Sequence, residues 1–217
     1  MKQTILIAAI VMSIAACSNK TDPNKGNFST AIDAYLAKKG DLCLNDETWP
    51  SEKTEMDERI GASLGGGNRM KALESAGLIS SSKTEKQILS YNGKPTGRSQ
   101  SITRYDLTDK GKTFFQETKS RFSSPKEGEI RGSLCYGKKA LAEIIKWEGP
   151  MKLGDYQEAK VFYHYKINDL ADWAKSPEIQ AVYPNVKTWV DGAGDKQQTH
   201  GVHLTSIGWE ANGIDRE

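Results

Sequence analysis

Gly65-Gly66-Gly67-Asn68-Arg69-Met70-Lys71-Ala72-Leu73-Glu74-Ser75-Ala76-Gly77-Leu78-Ile79 is the stretch around which the chain is organised. Three glycines interrupt a preceding helix. Met70 and Leu73, spaced i, i+3, share a face of the next one, and Gly77 stands at C′, where a left-handed residue stops a helix. Leu78-Ile79 then opens an extended segment. Upstream, Thr54 is placed to cap a helix reaching Ile60, with Asp57 three residues on completing an approximate capping box. Downstream, a Gly/Pro-rich tip leads to a second extended segment, Ser101–Leu107, which runs into Thr108–Phe115. Further back, Ser29 is the expected N-cap of a helix carrying Ala31, Ile32, Tyr35 and Leu36 at helical spacing and ended by Gly40. Leu42–Trp49 reads as short and extended, broken by Pro50.

Three helices followed by a hairpin resemble a winged helix-turn-helix domain. The residues that carry the resemblance are Ala72-Leu73-Glu74-Ser75-Ala76-Gly77-Leu78-Ile79, before the wing, and Tyr105-Asp106-Leu107-Thr108-Asp109-Lys110-Gly111-Lys112, after it. The resemblance implies a winged-helix-like domain over residues 29–122. Its recognition helix would offer Asn68, Arg69 and Lys71 against Glu74; its wing would offer Lys83, Lys86, Lys94 and Arg98 against Glu85. This face is mildly basic, and the wing residues are candidates for an interaction surface.

The N-terminus sets the compartment. Lys2, an apolar run from Thr4 to Val11 and the small residues before Cys17 describe an export signal. The run is too short to span a bilayer, which needs about 20 residues. Ile14-Ala15-Ala16-Cys17 resembles a bacterial lipobox, which implies removal of residues 1–16 and acylation of Cys17 with palmitate-type chains. Each buried methylene adds about 0.8 kcal/mol, so several chains anchor a protein essentially permanently. Ser18 at the second mature position resembles the sorting pattern for the outer membrane, facing the periplasm. Ser18–Asn27 is polar and reads as a tether within residues 17–28, reaching roughly 33 Å when extended. A protein held there meets no chromosome, so the basic wing is expected to serve as a protein-interaction module and not to bind nucleic acid. Removing residues 1–16 leaves 29 Lys and Arg against 28 Asp and Glu, a net charge of +1, which is no strong invitation to polyanions.

With Cys17 acylated, Cys43 and Cys135 remain, and an exported chain with an even remainder points to a disulfide. The bridge would close a loop of 93 residues, worth up to about 4–5 kcal/mol in the chain-entropy account. Two buried free thiols are the alternative. A metal site lacks a Cys or His partner at ligand spacing.

A polar stretch at Ser123–Gly128 sets a soft boundary before a second part, residues 129–217. Glu129–Trp147 suggests two strands or one long bent one. Glu148-Gly149-Pro150 and Gly154-Asp155 suggest turns. Ala159–Ile167 is a strand with alternating apolar residues. Asp169–Ala174 and Ser176–Val182 suggest short helices, the second capped by Ser176 with Pro177 at N1. Gln198–Trp209 reads as a last strand. The expected fold class is α+β, an N-terminal winged-helix-like domain followed by a small antiparallel sheet of three or four strands packed on helices. Four of the five tryptophans lie in this second part, and Trp147 and Trp209 are candidates for lining a groove between the two halves.

Catalytic patterns are thin. Gly61-Ala62-Ser63-Leu64-Gly65 matches G-x-S-x-G, but a polar, helix-forming segment stands where a nucleophile elbow needs a buried strand. His200 and His203, three apart on a strand, point to opposite faces and cannot chelate together. His164 is expected at the surface or a sheet edge. The sequence therefore points to a non-enzymatic envelope lipoprotein that contacts another envelope protein and carries no cofactor or metal. A ligand-binding lipoprotein is the alternative, and a serine hydrolase using Ser63 a remote one. Cys17→Ala is expected to shift the protein from the membrane to the soluble fraction on cell fractionation; unchanged retention would contradict the anchor.

Overall fold

The structure, a computed structural model, describes residues 19–61, 63, 69–118 and 126–215. Its elements in chain order are α1 (Lys25–Lys39), β1 (Asp41–Cys43), β2 (Glu47–Trp49), β3 (Ser51–Thr54), α2 (Glu55–Gly61), α3 (Arg69–Ser75), β4 (Ile79–Leu89), β5 (Pro95–Leu107), α4 (Asp109–Phe114), β6 (Phe115–Glu117), β7 (Ile130–Leu153) and β8 (Tyr156–Asn168). A 3-10 turn (Asp172–Lys175), α5 (Pro177–Val182), α6 (Pro184–Asp191), β9 (Gln198–Thr205) and β10 (Gly208–Ala211) complete it.

β7 is a single strand of 24 residues and the axis of a curled, seven-stranded antiparallel sheet. Its two edges are occupied in succession. β2 and β6 flank its start, where Gly132 lies opposite both Glu47 and Glu117. A Cβ on Gly132 would fall 2.1 Å from the Gln116 carbonyl oxygen, so only glycine lets the strands close there. β1 continues the edge begun by β2, with Cys43 directly opposite Cys135, and those two residues form a disulfide. From Lys138 onward β7 pairs with β8, and β9 and β10 extend the sheet. A second sheet of three strands has the order β3–β5–β4.

Two cores result. In one, α1 lays Phe28, Ala31, Ile32 and Leu36 on the sheet face carrying Ile144, Val161, Tyr163, Tyr165, Val202 and Trp209. Phe28 is fully buried between two indoles met edge-on, Trp147 at 5.4 Å and Trp209 at 5.0 Å between ring centroids. Such pairs add about 0.5–1.5 kcal/mol each beyond area burial. In the other core, Leu73, Leu78, Ile79 and Tyr105 pack with Trp49, Leu134, Tyr136, Trp173 and Ile179.

These contacts correct the expected α+β fold class. The chain is mostly β, with 47% of it in strands and 29% in helices, and there is no winged-helix domain. The helix expected to open such a domain, α1, instead packs on β7, β9 and β10 at the far end of the chain. Leu73, Leu78, Ile79 and Tyr105, which carry the resemblance, share their core with β7 and α5. The small sheet of three or four strands is a seven-stranded one, because β1, β2 and β6 join it from upstream of residue 118.

Local signals fared unevenly. Thr54 and Asp57 form the reciprocal capping box of α2, with the Thr54 N–H donating to Asp57 Oδ2 at 2.8 Å and the Asp57 N–H to Thr54 Oγ1 at 3.1 Å. Ser176 caps α5 by accepting from the Ile179 N–H at 3.2 Å, and Gly77 takes φ 73° as the stop after α3. Asn24, not Ser29, caps α1 by accepting from the Asn27 N–H at 2.9 Å. Residues 19–24, expected as tether, are bound in place: Asn27 Nδ2 donates to the carbonyls of Asn19 and Asp22 at 2.9 and 2.8 Å. Trp209 Nε1 donates to the Thr21 carbonyl at 3.1 Å. Glu148-Gly149-Pro150 is no turn; β7 runs through it with a register slip between Glu148 and Met151.

Asp46 fastens the start of β7. It accepts from Ser133 Oγ and, at 2.8 Å, from Thr118 Oγ1, with Arg131 Nε 3.9 Å away. The Ser133 and then the Thr118 hydrogen bond, with help from the Arg131 charge, hold its carboxyl below the usual aspartate value. A carboxylate whose folded pKa is depressed stabilises the fold above the unfolded value, about 3.9, and that contribution disappears as pH falls through the folded one. Asp46→Asn is therefore expected to flatten the acid limb of stability against pH, read from urea midpoints between neutral pH and about 3. Phe28→Ala is expected to remove about 3–5 kcal/mol, measured by urea unfolding; a loss under 1 kcal/mol would show that α1 is not held by its aromatic clasp.

Candidate functional site

β4 and β5 form a ribbon that leaves the molecule. Their pairing runs unbroken from Ile79 opposite Leu107 to Gln87 opposite Ser99, slips once, and resumes with Leu89 opposite Pro95. β3 supports β5 only as far as the Thr54–Ile102 pair. Beyond it the ribbon has two strands, is exposed on both faces and projects roughly 25 Å at about 3.3 Å per residue. An isolated two-stranded hairpin is marginal in water. This one is held by local bonds: Ser99 Oγ donates to Glu85 Oε2 at 2.8 Å, Thr96 Oγ1 to the Ile88 carbonyl at 2.7 Å, and Ser90 Oγ to the Lys94 carbonyl at 2.7 Å. At its root, Tyr105 OH donates to Glu58 Oε1 of α2 at 2.8 Å. Burial, reinforced by that carboxylate, raises the Tyr105 phenol above its ordinary value.

All four wing residues lie on this ribbon, Lys83 and Lys86 on β4, Lys94 at the tip and Arg98 on β5. Lys86 is ion-paired with Glu52 of β3. Glu52 also lies 3.8 Å from Arg104, which in turn reaches Asp106 at 3.1 Å. Among the described residues Lys83, Lys94 and Arg98 have no ion-pair partner. Leu89 and Tyr91 add exposed apolar surface at the tip, Tyr91 fully so.

The structure brings Trp147 and Trp209 together, though around Phe28 and not along a groove. Trp209 is buried, while Trp147 keeps about a third of its surface exposed. The tryptophans that border cavities are two others. A cavity of about 60 Å³ is lined by Leu44, Asn45, Trp49, Arg69, Leu73 and Tyr183, room for one or two waters at ~30 Å³ each. Arg69 sits over the Tyr183 ring at 5.5 Å, and burial pushes the Tyr183 phenol up to about 12. An open groove of about 380 Å³ between α3, α4 and α5 is bordered by Trp173 and Lys110. The indole N–H groups of Trp49 and Trp173 are buried without a hydrogen-bond partner among the described residues. In the sequence, Trp49 beside Pro50 was a signal only for a strand end, and Trp173 stood as one of the four tryptophans of the second part.

The nucleophile and base candidates are dispersed. Ser63 Oγ donates to the Ile60 carbonyl at 2.9 Å, and Ala62, Leu64 and Gly65 of its motif lie outside the described residues. His164 Nδ1 is 3.2 Å from Glu143 Oε1. His200 and His203 do face opposite sides, yet both reach Asn212: His200 Nε2 its carbonyl at 2.8 Å, His203 Nδ1 its Oδ1 at 2.7 Å. No cluster of three His, Cys, Asp or Glu suited to a metal occurs among the described residues. Cys17 and Asn68 lie outside those residues. Comparison with known proteins finds no family model, no curated protein and no solved structure that matches this chain.

Proposed function

We propose that this chain is a non-enzymatic envelope lipoprotein, anchored through Cys17 at the periplasmic face of the outer membrane, that grips another envelope protein with the β4–β5 ribbon. The observation that carries the reading is the ribbon itself: two strands exposed on both faces, with no core beneath them and three cations without an ion-pair partner among the described residues. Folding gains little from a ribbon of this kind, because apolar burial, the main driving force, is missing along it. A partner with an acidic rim and a small apolar recess fits its chemistry, since Lys83, Lys94 and Arg98 would meet the rim and Tyr91 and Leu89 the recess. Aromatic and arginine side chains are the usual anchors of such contacts. The lipobox and the Cys43–Cys135 bridge support an exported, oxidising setting.

A second reading, a ligand-binding lipoprotein, draws on the cavities between upstream and downstream elements, one lined by Trp49 and the other by Trp173. A photo-crosslinking side chain at Tyr91 separates the readings. In intact cells it is expected to give a discrete adduct with an envelope protein. The combined Lys83→Glu, Lys94→Glu and Arg98→Glu variant is expected to lose that adduct without a change in its urea midpoint. No adduct from the tip, or one indifferent to charge reversal, would remove the ribbon from the interaction.

A further inference from the structure

The first described residues, from Asn19, the end of β7 and the β9–β10 turn converge on one end of the sheet. Lys20 lies against Gly208, whose added Cβ would meet the Lys20 carbonyl oxygen at 3.3 Å, and Thr21 is tied to Trp209. Cys17 is three residues before Lys20 in the sequence, a span that reaches at most about 11 Å. The register places the β7–β8 tip beside it. Glu158 is opposite His203, and Thr205 is opposite Gly208. Tyr156, two residues before Glu158, is therefore level with the β9–β10 turn, and the Leu153–Tyr156 pair closes the hairpin there.

This end is apolar where it has no protein to cover it. Met151 is 74% exposed, Leu153 82%, Tyr156 48% and Ile207 70%. Met151, Leu153 and Tyr156 share the strand face opposite α1, because Met151 pairs with Glu158 and Leu153 with Tyr156. Tyr156 is held there by stacking on His203 and by donating to Glu158 Oε2 at 3.1 Å. Lys152 is exposed between Met151 and Leu153, and the patch borders the carboxylates of Asp155 at the hairpin tip, of exposed Glu148 and of half-buried Glu158. A tyrosine with aliphatic neighbours and a polar border suits the boundary between acyl chains and headgroups.

We propose that this end of the sheet rests on the lipid bilayer, with Leu153, Met151, Tyr156 and Ile207 seated in its interface. The proposal depends on the lipid-anchor reading given above. The bilayer is the occupant favoured over a second copy or a partner protein because Lys20, three residues after the proposed anchor Cys17, lies at this end of the sheet. A tethered surface is present at high effective concentration, so a patch too small to bind membranes alone suffices to orient the molecule. β7 then runs from the membrane at Leu153 to the root of the ribbon at Ile130, beside β2 and β6. The ribbon is thereby carried away from the bilayer.

Nitroxide labels test this. With Cys43 and Cys135 bonded and Cys17 acylated, a new cysteine is the sole free thiol. Leu153→Cys, Ile207→Cys and, as reference, Tyr91→Cys are labelled in acylated protein reconstituted into phosphatidylethanolamine and phosphatidylglycerol vesicles. Collision with oxygen, which concentrates in lipid, is expected to exceed collision with a water-soluble nickel chelate at 153 and 207, and to fall below it at 91. Adding Met151→Asp and Tyr156→Asp is expected to return position 207 to the aqueous ratio. Aqueous ratios at 153 and 207, or shielding from both reagents as under a protein partner, would overturn the proposal. The intact mass of the same preparation reports acylation separately: acylated protein with an aqueous tip leaves the anchor standing, and a mass without acyl groups removes anchor and docking together.

Discussion

The constraint on which the rest depends is the backbone of β7. Twenty-four consecutive residues in extended conformation present an acceptor at every position and a donor at every one but Pro150, and each group left unpaired away from water costs free energy comparable to a lost hydrogen bond. The chain meets this demand by laying four other strands along β7 in turn. Three of them, β1, β2 and β6, have only three residues each. None would persist alone. They exist because β7 offers a finished edge, and the Cys43–Cys135 bridge and the Asp46 cluster hold them against it. The gaps between them are set by side chains that fit, as at Gly132, where two strands close on a residue without a Cβ.

What could be read in the sequence was what depends on neighbours in the chain. The Thr54–Asp57 box, the Ser176–Pro177 start, the Gly77 stop and the hairpin after Ile79 are local arrangements of backbone and short polar side chains. The disulfide followed from counting, since the expected acylation of Cys17 leaves two cysteines in a chain read as exported. What escaped was what depends on distant partners. α1 has an ordinary apolar stripe, and nothing local says that Phe28 goes between Trp147 and Trp209. Three-residue strands carry no periodicity to detect. The resemblance to a winged helix misled because Leu73, Leu78, Ile79 and Tyr105 make a helix–hairpin corner that is locally the same whichever core it joins. For the site, the cationic ribbon was visible as a run of lysines after a helix stop, whereas Trp49 and Trp173 gained their buried N–H groups only through tertiary packing.

The molecule is polar in the sense of having two unlike ends. At one, the first described residues lie beside exposed aliphatic side chains; at the other, a charged ribbon stands clear of any core among the described residues. The ribbon belongs to the separate β3–β5–β4 sheet and meets β7 through the core that Ile79 and Tyr105 share with Leu134, so packed structure and not a flexible linker connects the two ends. The order in residues 19–24 matters for the same reason: hydrogen bonds from Asn27 and Trp209 leave little slack between the folded part and whatever precedes it.

The bond between Trp209 and Thr21 joins residues 188 apart in the chain. It means that the first helix cannot complete its docking until the last strands exist. In a chain made N-terminus first, Phe28 and Ile32 of α1 would find part of their cover on β7 and β8 and the rest only once β9 and β10 followed. Loop closure over so great a separation is slow compared with hairpin formation. The half-covered helix is a natural client for a holding factor until the last strands close over it.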